Sequence, residues 1–160
     1  MAPRSTASAA VELRLAPDAR HIGQARRFAV RATAELGADD HAQDAVRSLV
    51  SELVTNVLLH AGSDALVRVH DDGALVRVEV VDASPAAPRQ RRVDGGSTTG
   101  RGLRLLRALS SVSGVEPDGA VGPGGKCVWF AVLKTSTDEV RDAVSSAAAQ
   151  LFDGELEGSW

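Results

Sequence analysis

Ser51-Glu52-Leu53-Val54-Thr55-Asn56-Val57-Leu58-Leu59-His60-Ala61 closes the most regular stretch of this chain. From Ala42 onward, apolar residues recur at Ala45, Val46, Leu49, Val50, Leu53, Val54 and Val57. That i, i+3, i+4, i+7 spacing predicts an amphipathic helix that starts after Asp39-Asp40 and ends at Gly62. Within it Glu52, Asn56 and His60 follow one another every four residues. A regular α-helix sets such residues in one row, here along the border of the apolar stripe. A carboxylate and an amide on that border are half-buried, where the wall of a pocket would stand. An ordinary polar border explains the same row. His60 reads as a structural hydrogen-bonding group in preference to a proton shuttle.

Working outward toward the N-terminus, Val11-Glu12-Leu13-Arg14-Leu15 alternates as a half-buried strand does. Asp18 to Leu36 has helical spacing, with Gly37 as its C-terminal cap. On the other side, Ala65 to His70 and Ala74 to Val81 read as strands joined by Asp71-Asp72-Gly73, which is hairpin chemistry. Residues 83–99 form a long loop with Pro85, Pro88 and three arginines, Arg89, Arg91 and Arg92. A third helix is expected from Gly102 to about Val112, then strands at Ser113–Glu116 and Lys126–Leu133 across a glycine-rich linker. Thr137 to Phe152 reads as a last helix. The fold class this order predicts is α+β: a two-layer sandwich, its sheet mostly antiparallel and its helices on one face. The expected division is a disordered tail over 1–10, one domain over 11–135, and a C-terminal helix with an acidic tail over 136–160.

Composition narrows the function. The 160 residues carry a net charge of −3 and are 44% hydrophobic, which suits one domain with one core. No basic excess marks a duplex-binding protein, so direct nucleic-acid binding is not expected. The single cysteine, Cys127, excludes an internal disulfide and a cysteine-rich zinc site, and it fits a reducing compartment. No apolar run approaches the ~18 residues that a membrane span needs. Met1 to Ala10 lacks the apolar block of a signal peptide. A cytoplasmic protein is the expectation.

Three further motifs carry chemistry. Asp82 stands where a run of valines stops, in Asp82-Ala83-Ser84-Pro85, and it either faces a cleft or starts a turn. Gly100-Arg101-Gly102-Leu103 lies at an expected helix start, where free backbone N–H groups and the helix dipole favour a phosphate. A plain loop-to-helix junction accounts for it as well. It is no Walker A loop, because no Gly-Lys-Ser/Thr follows. Gly124-Gly125-Lys126-Cys127-Val128-Trp129-Phe130 leads into the last strand.

In combination and in this order, these motifs resemble the histidine-kinase-like ATPase superfamily. Ser51-Glu52-Leu53-Val54-Thr55-Asn56 with His60-Ala61, Asp82-Ala83-Ser84-Pro85 and the Gly124 to Phe130 segment look like its small bacterial branch of anti-sigma-factor serine/threonine kinases. The likeness runs from about Val11 to Leu133. It implies ATP and magnesium as ligands, with Asn56 on the metal and Glu52 as catalytic base. Asp82 would accept the adenine amino group, with Ser84 beside it. Gly100, Gly102 and Leu103 would present backbone to the phosphates, and Arg101 adds charge there. Cys127 is assigned to the nucleotide site because a threonine commonly stands at its place. A thiol is the weaker hydrogen-bonding group, and the superfamily's Asp-x-Gly-x-Gly pattern lacks its glycines at Asp82 to Ala86, so the expected nucleotide affinity is lowered.

The resemblance further implies a regulatory kinase that phosphorylates an anti-sigma-factor antagonist and holds a sigma factor, with a homodimer as a common state of that branch. The alternative is a non-catalytic module that acts by protein contact alone.

Overall fold

A computed structural model of the chain describes residues 10–84 and 110–135. The expected N-terminal tail, most of the long loop, Gly100 to Leu103 with the third helix, and the C-terminal helix lie outside the described residues. The elements, in order, are β1 (Val11–Leu15), α1 (His21–Glu35), α2 (Asp40–Thr55), a π-helical turn (Asn56–Ala61), β2 (Ala65–Asp72), β3 (Leu75–Asp82), β4 (Val112–Pro117) and β5 (Lys126–Leu133). They form the expected α+β arrangement. One five-stranded sheet has the order β1-β2-β3-β5-β4, and every pairing is antiparallel.

Local chemistry sets the boundaries. Helix α1 starts three residues later than Asp18, whose carboxylate accepts the N–H of Arg20 instead of joining the helix. Its end follows the expected cap: Gly37 donates to the Ala34 carbonyl, and Ala38 to that of Thr33. Helix α2 is capped by Asp39, whose Oδ1 accepts the N–H of Ala42 at 2.9 Å. Asp39→Ala is expected to lower stability by about 0.5–2 kcal/mol, read as a shifted urea midpoint at constant slope. The β2–β3 hairpin turns in two residues, Gly73-Ala74, between the pair Asp72 and Leu75. Gly73 has φ 68 and Ala74 does not have a positive φ, which is the type II′ pattern and the reason glycine stands first. Val112 already belongs to β4, so a third helix must stop short of it.

Both helices lie on the same face of the sheet. Helix α1 packs over β1 and β2, and α2 over β3 and β5. The core between the layers joins Val46, Leu49, Val50 and Val54 of α2 to Val67, Val78 and Phe130 of the sheet. The pleat sends alternate residues to the other face. There Leu66, Val81, Cys127 and Trp129 make a smaller cluster.

Candidate functional site

Two hydrogen bonds fix how α2 lies on the sheet. At its start, Asp39 N–H donates to the carbonyl of Lys134, just past the end of β5. Beyond its far end, Ser63 Oγ accepts the N–H of Ala83, just past the end of β3. Helix α2 therefore runs antiparallel to β5. Its C-terminal turn, with Glu52 and Asn56, lies toward the end of the sheet that carries Asp82 and Lys126.

Glu52 and Asn56 are one turn apart and half-buried, as the apolar stripe predicts. Glu52 makes no hydrogen bond or ion pair with any described residue. The side-chain oxygen of Asn56 is buried and unpaired. A buried amide oxygen without a partner forfeits its hydration, which costs about 1–3 kcal/mol. Such an atom is rare in a folded protein and marks a position that a ligand can satisfy.

The helix changes pitch at this point. From Asn56 to Ala61 the backbone is π-helical, closed by Gly62 N–H on the Val57 carbonyl. The wider i→i+5 winding takes His60 out of the row that regular α-helical spacing implies. His60 is exposed and makes none of its expected structural hydrogen bonds among the described residues.

At the sheet end, Asp82 and Lys126 stand directly opposite each other in the β3–β5 ladder. Val76, Val78 and Val80 face the helices, so Asp82, two residues on, has the same side. Lys126 shares it with Val128, Phe130 and Val132. The two side chains form an ion pair, Nζ to Oδ2 at 2.9 Å, with side-chain exposures of 14% for Lys126 and 4% for Asp82. Lys126 Nζ also donates to Oδ1 at 3.2 Å. The N–H of Ser84 donates to the same Oδ1 at 2.8 Å. Asp82 thus sets a turn through Ser84, and its side chain is on the side of the sheet that carries the helices.

The assignment of Cys127 to the nucleotide site is corrected. Cys127 pairs with Val81 and lies on the opposite face, 2% exposed, with Val81, Leu66 and Trp129. Burial, with Glu79 and Asp118 adding to it, pushes the thiol pKa far above its usual range, so it is inert. One step along a strand reverses the face, and the residue beside Asp82 is Lys126. Lys126 is the site residue that sequence reasoning missed.

Close backbone approach requires Gly125, the residue before Lys126. A Cβ there would stand 2.2 Å from the Asp82 carbonyl oxygen and 2.6 Å from that of Asp118. Only a residue without a side chain lets β5 begin so close to the end of β3.

On the far face, charged residues gather around Glu79. Arg68 donates to it at 3.1 Å and Arg77 at 3.0 Å, while His70 Nε2 lies at 3.3 Å without hydrogen-bond alignment. Burial raises the Glu79 pKa, but His70, Arg68 and Arg77 outweigh it and hold the carboxyl down at about 2. Arg77 also stacks on Trp129, 4.1 Å from the ring centre. This network is separated from Glu52 and Asn56 by the sheet.

Gly100, Arg101, Gly102 and Leu103 lie outside the described residues; of the others, Glu52 and Asn56 lie on the part of the helix that points toward the sheet end carrying Asp82, Ser84 and Lys126. Among the described residues no group of three or more His, Cys, Asp or Glu side chains could hold a metal ion. No helix there is long and apolar enough to cross a membrane.

A search of curated proteins gives no match. The family model described as the histidine kinase-like ATPase domain matches residues 15–132, most of the chain and every element from the end of β1 to β5. The chain belongs to the histidine kinase-like ATPase domain family.

Proposed function

We propose that the protein binds ATP with magnesium and acts as a serine/threonine protein kinase in the cytoplasm, regulating transcription by phosphorylating an anti-sigma-factor antagonist. Family membership supports ATP binding and a regulatory role. One observation carries the finer reading: the buried, unpaired Asn56 oxygen one helical turn from the unpaired Glu52 carboxylate.

Magnesium fits this donor set. It is a hard cation that takes oxygen ligands and commonly binds through one or two protein groups, phosphate oxygens and waters. Asn56 would hold it. Bound there, it would neutralise charge on the phosphates. Glu52 has a carboxylate free to accept the proton of a serine or threonine hydroxyl as its oxygen attacks the γ-phosphorus and ADP leaves. Asp82 would take the adenine amino group. A sigma factor and its antagonist are the proposed partners, and a homodimer the proposed assembly.

Thermal unfolding tests the ligand part. A ligand at ~100 times its Kd adds about 2.7 kcal/mol to stability. In a domain of this size that raises the midpoint by roughly 5–10 °C. The rise is expected with Mg-ATP, and Asn56→Ala is expected to abolish its magnesium-dependent part. Transfer of label from γ-labelled ATP to candidate antagonists tests the kinase part.

A second reading has its own observation. Lys126 already neutralises Asp82, which suits a module that binds its partners without turnover. It predicts regulation that survives Glu52→Ala.

A further inference from the structure

We propose that Lys126 is a base-reading residue, acting with Asp82 as a paired donor and acceptor for the six-membered edge of adenine. The inference rests on the nucleotide reading above and assigns a role that this reading does not contain.

A carboxylate offers about four acceptor positions. Two are used on Asp82, both on Oδ1, by Ser84 N–H and one N–H of Lys126; Oδ2 is held only in the ion pair, 2.9 Å from Lys126 Nζ. Oδ2 accepts no hydrogen bond from a described residue and stays open. An ammonium group carries three N–H donors. Lys126 donates one to Asp82 Oδ1, stands in ion-pair contact with Oδ2, and has no other partner among the described residues. At least one donor is therefore without a described acceptor, on a side chain only 14% exposed.

The pair so presents one free acceptor beside one free donor, both on the helix side of the sheet. The Watson–Crick edge of adenine presents the complement: the N6 amine donates, and the adjacent ring atom N1 accepts. Asp82 takes an N6 hydrogen while Lys126 donates to N1, and the ion pair need not break. A charged donor makes this hydrogen bond stronger than one from a neutral group.

The test uses the full-length protein with magnesium and two nucleotides, ATP and an analogue in which C–H replaces purine N1. Titration calorimetry is expected to show the wild type binding the analogue about tenfold more weakly, the usual effect of losing a hydrogen bond to a charged group. Lys126→Thr leaves a hydroxyl beside Asp82 on a shorter side chain. It is expected to bind ATP about tenfold more weakly than the wild type and to treat the two nucleotides alike. Equal binding of both nucleotides by the wild type overturns the proposal. So does a tenfold preference that persists in Lys126→Thr, or a Lys126→Thr that binds ATP more tightly, which would make Lys126 a competitor for Asp82. If Lys126→Thr does not fold, the wild-type comparison still decides against the proposal when the affinities are equal, and Lys126→Met supplies the variant arm. Failure of the wild type to bind ATP at all removes the nucleotide reading itself, an outcome distinct from a loss of N1 discrimination alone.

Discussion

Glu52→Ala is expected to lower label transfer from Mg-ATP to a protein acceptor by about 10²–10⁴-fold, the contribution of a positioned general base. That range equals roughly 2.7–5.5 kcal/mol of barrier. The same variant should keep its Mg-ATP stabilisation, because Glu52 acts on the hydroxyl and not on the nucleotide. The fold should also survive. Glu52 is half-buried and makes no described hydrogen bond or ion pair, so its truncation strands no partner. Its neighbours Leu53 and Val54 keep their places in the core, and alanine is the best helix former. Asn56→Ala separates the two halves of the site. It should remove magnesium-dependent binding and transfer together, whereas Glu52→Ala removes transfer alone. Undiminished transfer in Glu52→Ala would show that the base is another group. Full regulation of a partner without any transfer would establish the contact-only module.

How much of this could be read from the chain depends on where information is local. Helix α2 is legible because its apolar period extends over four turns, and the hairpin because Gly73 must adopt a positive φ. Asp82 is legible because it ends a run of valines. The face of Lys126 is not legible. In β5 both alternating rows are apolar: Val128, Phe130 and Val132 on one, Cys127, Trp129 and Ala131 on the other. A strand buried on both faces has lost the polar alternation that reveals its sides. The β3–β5 register then decides which residue joins Asp82, and register is a long-range property. The π-helical turn is hidden for a related reason: Val57, Leu58 and Ala61 suit either pitch. The Glu79 cluster draws on Arg68, Arg77 and Asp118, which only the folded sheet and the β4–β5 loop bring together.

Phe130→Ala is expected to cost about 3–5 kcal/mol, the largest stability loss of any prediction made for this chain. Phe130 is 0% exposed in the core between the layers. It stands in β5 opposite Val78 of β3 and Ser113 of β4, so hydrogen-bonded strands flank it on both sides. Those ladders hold the backbone in place, and α2, capped by Asp39 and tied to Lys134, cannot sink far into the gap. A cavity that cannot collapse loses its contacts as well as its transfer free energy. Domains are stable by about 5–15 kcal/mol, so the loss is a large fraction of the whole. It should appear as a lower urea midpoint with an unchanged slope. Function is coupled to it. The same layer contact seats α2 and thereby Glu52 and Asn56 against the Asp82 end of the sheet, so nucleotide affinity should fall with stability. Trp129→Ala is the control from the next residue. That ring lies on the far face against Arg77, so its removal leaves the layer between α2 and the sheet intact. A Phe130→Ala cost below about 1 kcal/mol would mean that α2 follows the void inward, and that the site is held by something other than this core.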